Sequence, residues 1–277
     1  MTTVTAAVEA LVRATVSLSD ADMGRPWVWG KYDEEGLRFA LLMTHHELRD
    51  LAVRLAGARD REPAQAARIL AQYHQSYRDM SAVLATVRDA DLDRPPAEAE
   101  WPVRGVCTHM LDAEYGFLSV CRFALDRRRA GDAAEPTDDE WSAFAKPRGE
   151  ERKAAIAALE RGSVEDIRNA FATIHQRVLR ELGDIADQEL DAPSWFWDGE
   201  MPLRFRLHRF EEHLRQHTIQ LDKTLVGIDR APTEAHRLVR NIYNALADVE
   251  GERAAAPGLR DAAARAIEDR AAPLRRG

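Results

Sequence analysis

Apolar residues recur along this chain at intervals of three and four, the spacing of one helical face, and almost nowhere at intervals of two. The pattern predicts helices over residues 4–19, 36–55, 64–87, 102–129, 163–185, 203–225 and 233–249. Punctuation agrees with it. Pro63 stands where a first-turn proline belongs, Ser163-Val164-Glu165-Asp166 reads as a capping box, and Gly57 and Gly227 follow the last periodic positions of their helices. Between these segments, 130–149 reads as a polar connection, with a short helix start at Thr137-Asp138-Asp139-Glu140. Pro193, Trp195, Trp197 and Pro202 mark a loop, and the Ala- and Arg-rich tail from Gly251 reads as a marginal, fraying helix. No Asn-Gly or Asp-Gly pair joins β-branched runs, so strands are not expected and the fold class is all-α.

Two segments echo others. Asp20-Ala21-Asp22-Met23-Gly24-Arg25-Pro26 and Asp89-Ala90-Asp91-Leu92-Asp93-Arg94-Pro95 agree at five of seven positions, both at helix ends. Pro26-Trp27-Val28-Trp29 resembles Pro193-Ser194-Trp195-Phe196-Trp197. Further on, Arg38-Phe39-Ala40-Leu41 matches Arg204-Phe205-Arg206-Leu207, and Leu48-Arg49 matches Leu214-Arg215, both at an offset of 166. In that register Glu47 stands where His213 does and Leu51 where His217 does. Either residues 1–57 are a degenerate half-repeat, with His45 and His46 ordinary helix residues, or two amphipathic helices agree by chance.

Composition narrows the field. At 277 residues with 45% hydrophobic and 31% charged side chains, the chain is able to bury a sizeable core. No apolar run approaches the ~18 residues of a membrane span. The start, Met1-Thr2-Thr3-Val4-Thr5, lacks a basic leader region, so no secretory signal is expected. With only two cysteines a disulfide framework is excluded, and a cytoplasmic location is expected. A net charge of -8 argues against binding nucleic acid. Of the 39 basic residues 35 are arginine, so neither Arg104 nor Arg215 stands out as a site for an acidic ligand.

The chemistry concentrates in histidine. Residues four apart on a helix differ by only about 40° in direction, so His213 and His217 share a face. They fall within the apolar stripe Leu207, Phe210, Leu214 and Leu221 and therefore point inward. Buried imidazoles need partners for their nitrogens, and a divalent metal provides one. The zincin pattern is absent, because Leu214 rather than Glu follows His213. His109 lies beside the stripe Val106, Met110, Ala113, Phe117 and Val120 on another helix. Three inward histidines on two helices make a tripod that leaves coordination positions open, the arrangement of a catalytic rather than a closed structural ion. Glu212 and Asp112 flank these ligands and are candidate catalytic residues, as bases or as partners of an imidazole, or else solvated helix acids. Gln220, one turn past His217, could reach the ion's surroundings, and Trp195 and Trp197 could wall the site or simply anchor their loop. Cys107 and Cys121, 14 residues apart on one helix, lie about 21 Å from each other and cannot pair. His74, His175, His208 and His236 have no partner motif.

Trp101-Pro102-Val103-Arg104-Gly105-Val106-Cys107-Thr108-His109-Met110-Leu111-Asp112-Ala113-Glu114 resembles the Trp…His helix of the DinB-like (DinB/YfiT) superfamily. His213-Leu214-Arg215-Gln216-His217-Thr218-Ile219-Gln220-Leu221 resembles its His-x-x-x-His-x-Gly-Gln ending, with Ile219 in place of Gly. The resemblance covers about 62–228. It implies a DinB/YfiT-like four-helix bundle there, with an N-terminal helical hairpin at 1–61 and a C-terminal helix and flexible tail at 229–277. It also implies zinc or nickel held by His109, His213 and His217. By the same resemblance the function is that of a metal-dependent enzyme, a transferase moving a low-molecular-weight thiol such as mycothiol to a small electrophile. The arginine-rich composition suits a GC-rich host and favours mycothiol over bacillithiol. Two alternatives stay open: a metal-dependent small-molecule hydrolase, and a non-catalytic binding or stress module stapled by its metal. The expected partner is a small-molecule substrate, with no membrane and no nucleic acid; a homodimer competes with a monomer whose N-terminal hairpin covers the partner surface.

Overall fold

The computed structural model describes residues 2–27, 36–196, 199–252 and 254–274. Val28 and Trp29 of the first echo, and Trp197, lie outside them. Among the described residues there are nine α-helices and one two-stranded sheet. The helices are α1 (Val4–Thr15), α2 (Gly36–Gly57), α3 (Gln65–Leu84), α4 (Val103–Arg129), α5 (Asp138–Leu159), α6 (Val164–Leu182), α7 (Leu203–Gly227), α8 (Glu234–Gly251) and α9 (Pro257–Leu274). Strands β1 (Pro193–Phe196) and β2 (Gly199–Pro202) pair antiparallel between α6 and α7. The all-α expectation is met, and no described helix is long and apolar enough to cross a membrane.

Two compact units make up the chain. The first comprises residues 1–62, 78–86 and 230–277; the second comprises 63–77 and 87–229. Residues 1–62 and 230–277, which flank the bundle in the sequence, thus belong to one unit. There α9 packs along α1 and α2 along α8. Its core is apolar, built from residues such as Val8, Leu11, Leu41, Leu48, Ile242 and Ile267. The second unit contains α4 to α7, the hairpin and the first part of α3, with α4 running against α6 and α7.

One connection recurs three times. After α1, α3 and α6 the chain makes a 3₁₀ turn, at Asp20–Gly24, Asp89–Asp91 and Asp187–Glu189. In each the third residue accepts a hydrogen bond from the backbone N–H three positions earlier: Asp22 from Ser19 (2.8 Å), Asp91 from Arg88 (3.1 Å), Glu189 from Ala186 (2.8 Å). The fourth residue, Met23, Leu92 or Leu190, is buried. The first aspartate reaches across to cap another helix. Asp20 accepts from the N–H of Glu234 at the start of α8 (2.6 Å). Asp89 accepts from Val164 at the start of α6 (2.7 Å), and Asp187 from Ala66 at the start of α3 (3.3 Å). In the second unit the exchange is reciprocal: the turn after α3 caps α6, and the turn after α6 caps α3. The third copy, Asp187-Gln188-Glu189-Leu190, is not evident in the sequence because only its first residue is common to all three.

Three sequence expectations are corrected. Most of the polar stretch 130–149 is helical, because Thr137 and Glu140 form the capping box that opens α5 and the helix continues through Pro147 to Leu159. Of its residues only Leu159 is buried; an aromatic contact of Trp141 and Phe144 with Phe123 helps hold the rest against α4. The loop read at Pro193 to Pro202 is a hairpin in which Ser194 pairs with Met201 and Trp195 with Glu200. The Asp198-Gly199 signal was present, yet it joins the aromatic Trp195-Phe196-Trp197 to Glu200-Met201-Pro202 and not two β-branched runs, and Gly199 takes a positive φ of 89° that suits glycine. Arg206, buried on α7, ties the hairpin down by donating to Ser194 Oγ (3.1 Å) and the Gly199 carbonyl (2.8 Å). Finally, the tail is an ordered helix from Pro257 to Leu274, since Ala264, Ile267 and Ala271 bury a narrow face in the first unit.

Candidate metal centre

His109 comes from α4, and His213 and His217 come from successive turns of α7. Val106 and Met110 on α4, and Phe210, Leu214 and Leu221 on α7, are buried, so the apolar stripes that hold the two helices together carry the three imidazoles with them. His213 and His217 are buried and His109 is partly exposed. One ligand nitrogen from each ring lies within 4.8 Å of the others. His109 Nε2 and His213 Nε2 are 3.2 Å apart. Two nitrogens sharing a tetrahedral ion at ~2.1 Å stand about 3.4 Å from each other, so this pair already has the required spacing. The ring centroids are 5.0 Å (His109–His213), 4.6 Å (His109–His217) and 4.4 Å (His213–His217) apart. The three residues could therefore hold one metal ion.

Electrostatics favour the neutral, ligating form of the rings. Burial is the main cause that lowers the pKa of His213 to about 3, assisted by the charges of His217, His109 and Arg209. Burial lowers that of His109 too, with His217 adding to it and Asp112 opposing it. His217 Nδ1–H donates to Gln220 Oε1 at 2.7 Å, so in the neutral ring Nε2 is the nitrogen left for a ligand. Three ring nitrogens thus converge on one point, an arrangement that a cation satisfies.

The surroundings are aromatic. The Phe117 ring meets His213 edge-on at 5.4 Å and Phe210 at 5.6 Å, and Trp101, 46% exposed, lies 5.2 Å from His109. Neither flanking carboxylate hydrogen-bonds a triad ring among the described residues. Asp112 is gripped by both arms of the Arg152 guanidinium from α5, and Glu212 accepts from Arg209 at 2.7 Å in an exposed pair. Arg104 binds Asp93 and the carbonyls of Leu159 and Gly162, while Arg215 pairs with Glu211. Burial pushes the Cys107 thiol up to about 12, so it offers no thiolate to the ion. Ile219, where the motif has Gly, is 57% exposed and faces away from the triad's buried side.

A second polar cluster lies deeper in this unit. His74 Nδ1 and His175 Nε2 are hydrogen-bonded at 2.8 Å, and Tyr77 stacks flat on His175 with centroids 3.8 Å apart. The Tyr73 hydroxyl donates to Glu114 Oε2, and burial pushes the Glu114 carboxyl up to about 8. Glu114 Oε1 is buried with no partner among the described residues. Sequence reasoning passed over Glu114, because its partner is 41 residues away in the chain.

A family model, the DinB superfamily, matches residues 72–221. The chain belongs to the DinB superfamily. No curated protein and no solved structure matched it. The DinB match takes in all three histidines, Gln220 and the Tyr73–Glu114 pair, and leaves α1, α2, α8 and α9 outside.

Proposed function

We propose that this DinB-superfamily protein is a metal-dependent enzyme that transfers a low-molecular-weight thiol to a small electrophile. The observation that carries the reading is the convergence of three imidazoles, one of them partly exposed, on a single point. A zinc or nickel ion held by His109, His213 and His217 would supply Lewis acidity and lower the pKa of a thiol at an open position. The chain's own groups have defined parts. Gln220 holds the proton on His217 Nδ1 and so fixes which nitrogen faces the ion. Phe117 and Trp101 keep the vicinity of His213 and His109 poor in water, which strengthens electrostatic interactions there. Arg152 holds both oxygens of Asp112, one turn from His109, in an ion pair. Glu212 is held less tightly, in an exposed pair, and is the carboxylate nearer to a role in proton transfer. The thiol reading places the protein in a reducing cytoplasm, with a small molecule rather than a macromolecule as its substrate.

Elemental analysis of the purified protein tests the first step. We expect one divalent ion per chain in the wild type and none in His217→Ala. The metal-loaded protein is then offered a small electrophile with and without mycothiol. Consumption of free thiol that depends on both protein and metal supports the transferase. Conversion of the electrophile by water alone would make the protein a hydrolase instead.

A further inference from the structure

The first unit contains a buried cation of its own. Arg270, on α9, is 1% exposed inside an otherwise apolar core. Its guanidinium donates to Thr44 Oγ1 (2.8 Å) and Glu47 Oε1 (2.6 Å), both on α2. Burying an arginine costs several kcal/mol unless its partners are well placed, so its presence in a core of Val, Leu and Ala calls for a reason.

Position supplies one. In the offset of 166, Thr44 falls on Phe210 and Glu47 on His213. The faces agree as well: the seven buried positions of α2 from Leu37 to Leu55 coincide with seven buried positions of α7 from Leu203 to Leu221. The plan around them is shared. The second unit is built from two hairpins, α3–α4 and α6–α7, whose first helices exchange caps, and the histidines sit on their second helices. The first unit is built from the hairpins α1–α2 and α8–α9. Asp20 after α1 caps α8, as Asp187 after α6 caps α3; the end of α8 meets α1 through a side-chain bond, from the Thr5 hydroxyl to Glu250, and not through a cap. Arg270, Thr44 and Glu47 again sit on the second helices, α9 and α2.

We propose that the first unit is a degenerate copy of the histidine-bearing bundle, in which the Arg270 guanidinium stands where the other copy holds its ion. This rests on the metal reading of the triad. A side chain replaces an exchangeable cation, and Glu47 replaces a neutral imidazole as its counter-charge. The first unit then takes up no metal, and the chain carries one ion instead of two.

Restoring the ligands tests the proposal. The full-length variant Glu47→His/Leu51→His/Arg270→His is loaded with Co²⁺, freed of excess ion, and its cobalt counted beside the wild type. One ion per wild-type chain and two per variant chain are expected, falling to one when His217→Ala is added. One ion per folded variant chain, with unchanged far-UV circular dichroism, would overturn the copy and leave the metal reading standing. A wild type that binds none would sink the metal reading and this inference with it. If the triple variant does not fold, Arg270→Ala decides the matter with ethylguanidinium as the probe. A lowered Tm that recovers saturably with millimolar ethylguanidinium, and not with sodium chloride at equal ionic strength, is expected. A Tm equal to wild type, or one that ethylguanidinium leaves unmoved, would overturn the proposal.

Discussion

The second unit holds two groups of interior histidines that look alike in a list of residues and differ in kind. His74 and His175 meet at 2.8 Å, nitrogen to nitrogen, so the N–H of one ring fills the lone pair of the other. Tyr77 lies flat against His175, and Tyr73 packs beside it at 4.7 Å. His109 and His213 also meet at 3.2 Å, yet a third imidazole joins them, and the Nδ1 of that ring points away from the pair, to Gln220. The first group closes on itself through protons and stacking. The second brings a third ring nitrogen, from another turn of α7, to the same point. The contrast teaches that what suits a group of histidines to hold an ion is the convergence of ring nitrogens from different elements on one point, and not the number of histidines.

Breaking the second group should have the largest effect. His213→Ala leaves two ligands; we expect at least a hundredfold weaker metal binding, and loss of the Tm difference between metal-loaded and metal-free protein. Calorimetry with and without a chelator measures both.

Gln220→Leu leaves all three ligands in place but lets His217 choose its tautomer. Metal affinity should fall about 10- to 100-fold, as read by competition with a chromophoric chelator, and Gln220→Glu should recover most of it.

Acidity separates the two groups by sign. In metal-free protein His213 has its pKa lowered to about 3, below the ordinary 6.5. As pH falls from 6.5 toward 3 the unfolded chain takes up a proton that the folded chain refuses, so stability drops through that window. Glu114 does the opposite. Its carboxyl is raised from 4.5 to about 8, so the folded chain keeps a proton that the unfolded one releases, and stability falls as pH rises between those values. Glu114→Gln should therefore match wild type near pH 5 and exceed it at pH 8, by on the order of 3 kcal/mol. Urea denaturation at the two pH values checks this; an equal difference at both would show that Glu114 is ionised in the fold.

The smallest effect should come from His175→Phe, which keeps the stack on Tyr77 and deprives His74 of one hydrogen bond. About 1 kcal/mol of stability should go, with metal content unchanged.

What could be read from the sequence followed from periodicity. Seven helices and the triad His109, His213 and His217 were visible because a helix repeats its face every 3.6 residues, and because ligands four apart announce a shared direction. What could not be read depended on partners far along the chain. The hairpin at Pro193–Phe196 and Gly199–Pro202 is held by Arg206, one arginine among 35. The tail became α9 because α1, more than 240 residues earlier, offers it an apolar surface. Asp112 and Glu212 looked available from their positions beside ligands, and only the placement of Arg152 and Arg209 shows them already engaged. Gln220 sits in between: its spacing from His217 was legible, and its bond to Nδ1 was not.

The reciprocal caps in the second unit bear on how it assembles. Asp89 completes the donors at the start of α6, and Asp187 those at the start of α3, so each hairpin carries a component its counterpart lacks. Each half supplies a hydrogen bond to a first turn of the other, which couples their formation. Split between α4 and α6, the two pieces should stay largely unstructured apart and become ordered on mixing. The histidines of α4 and α7 would then meet only once both halves have committed to the same molecule.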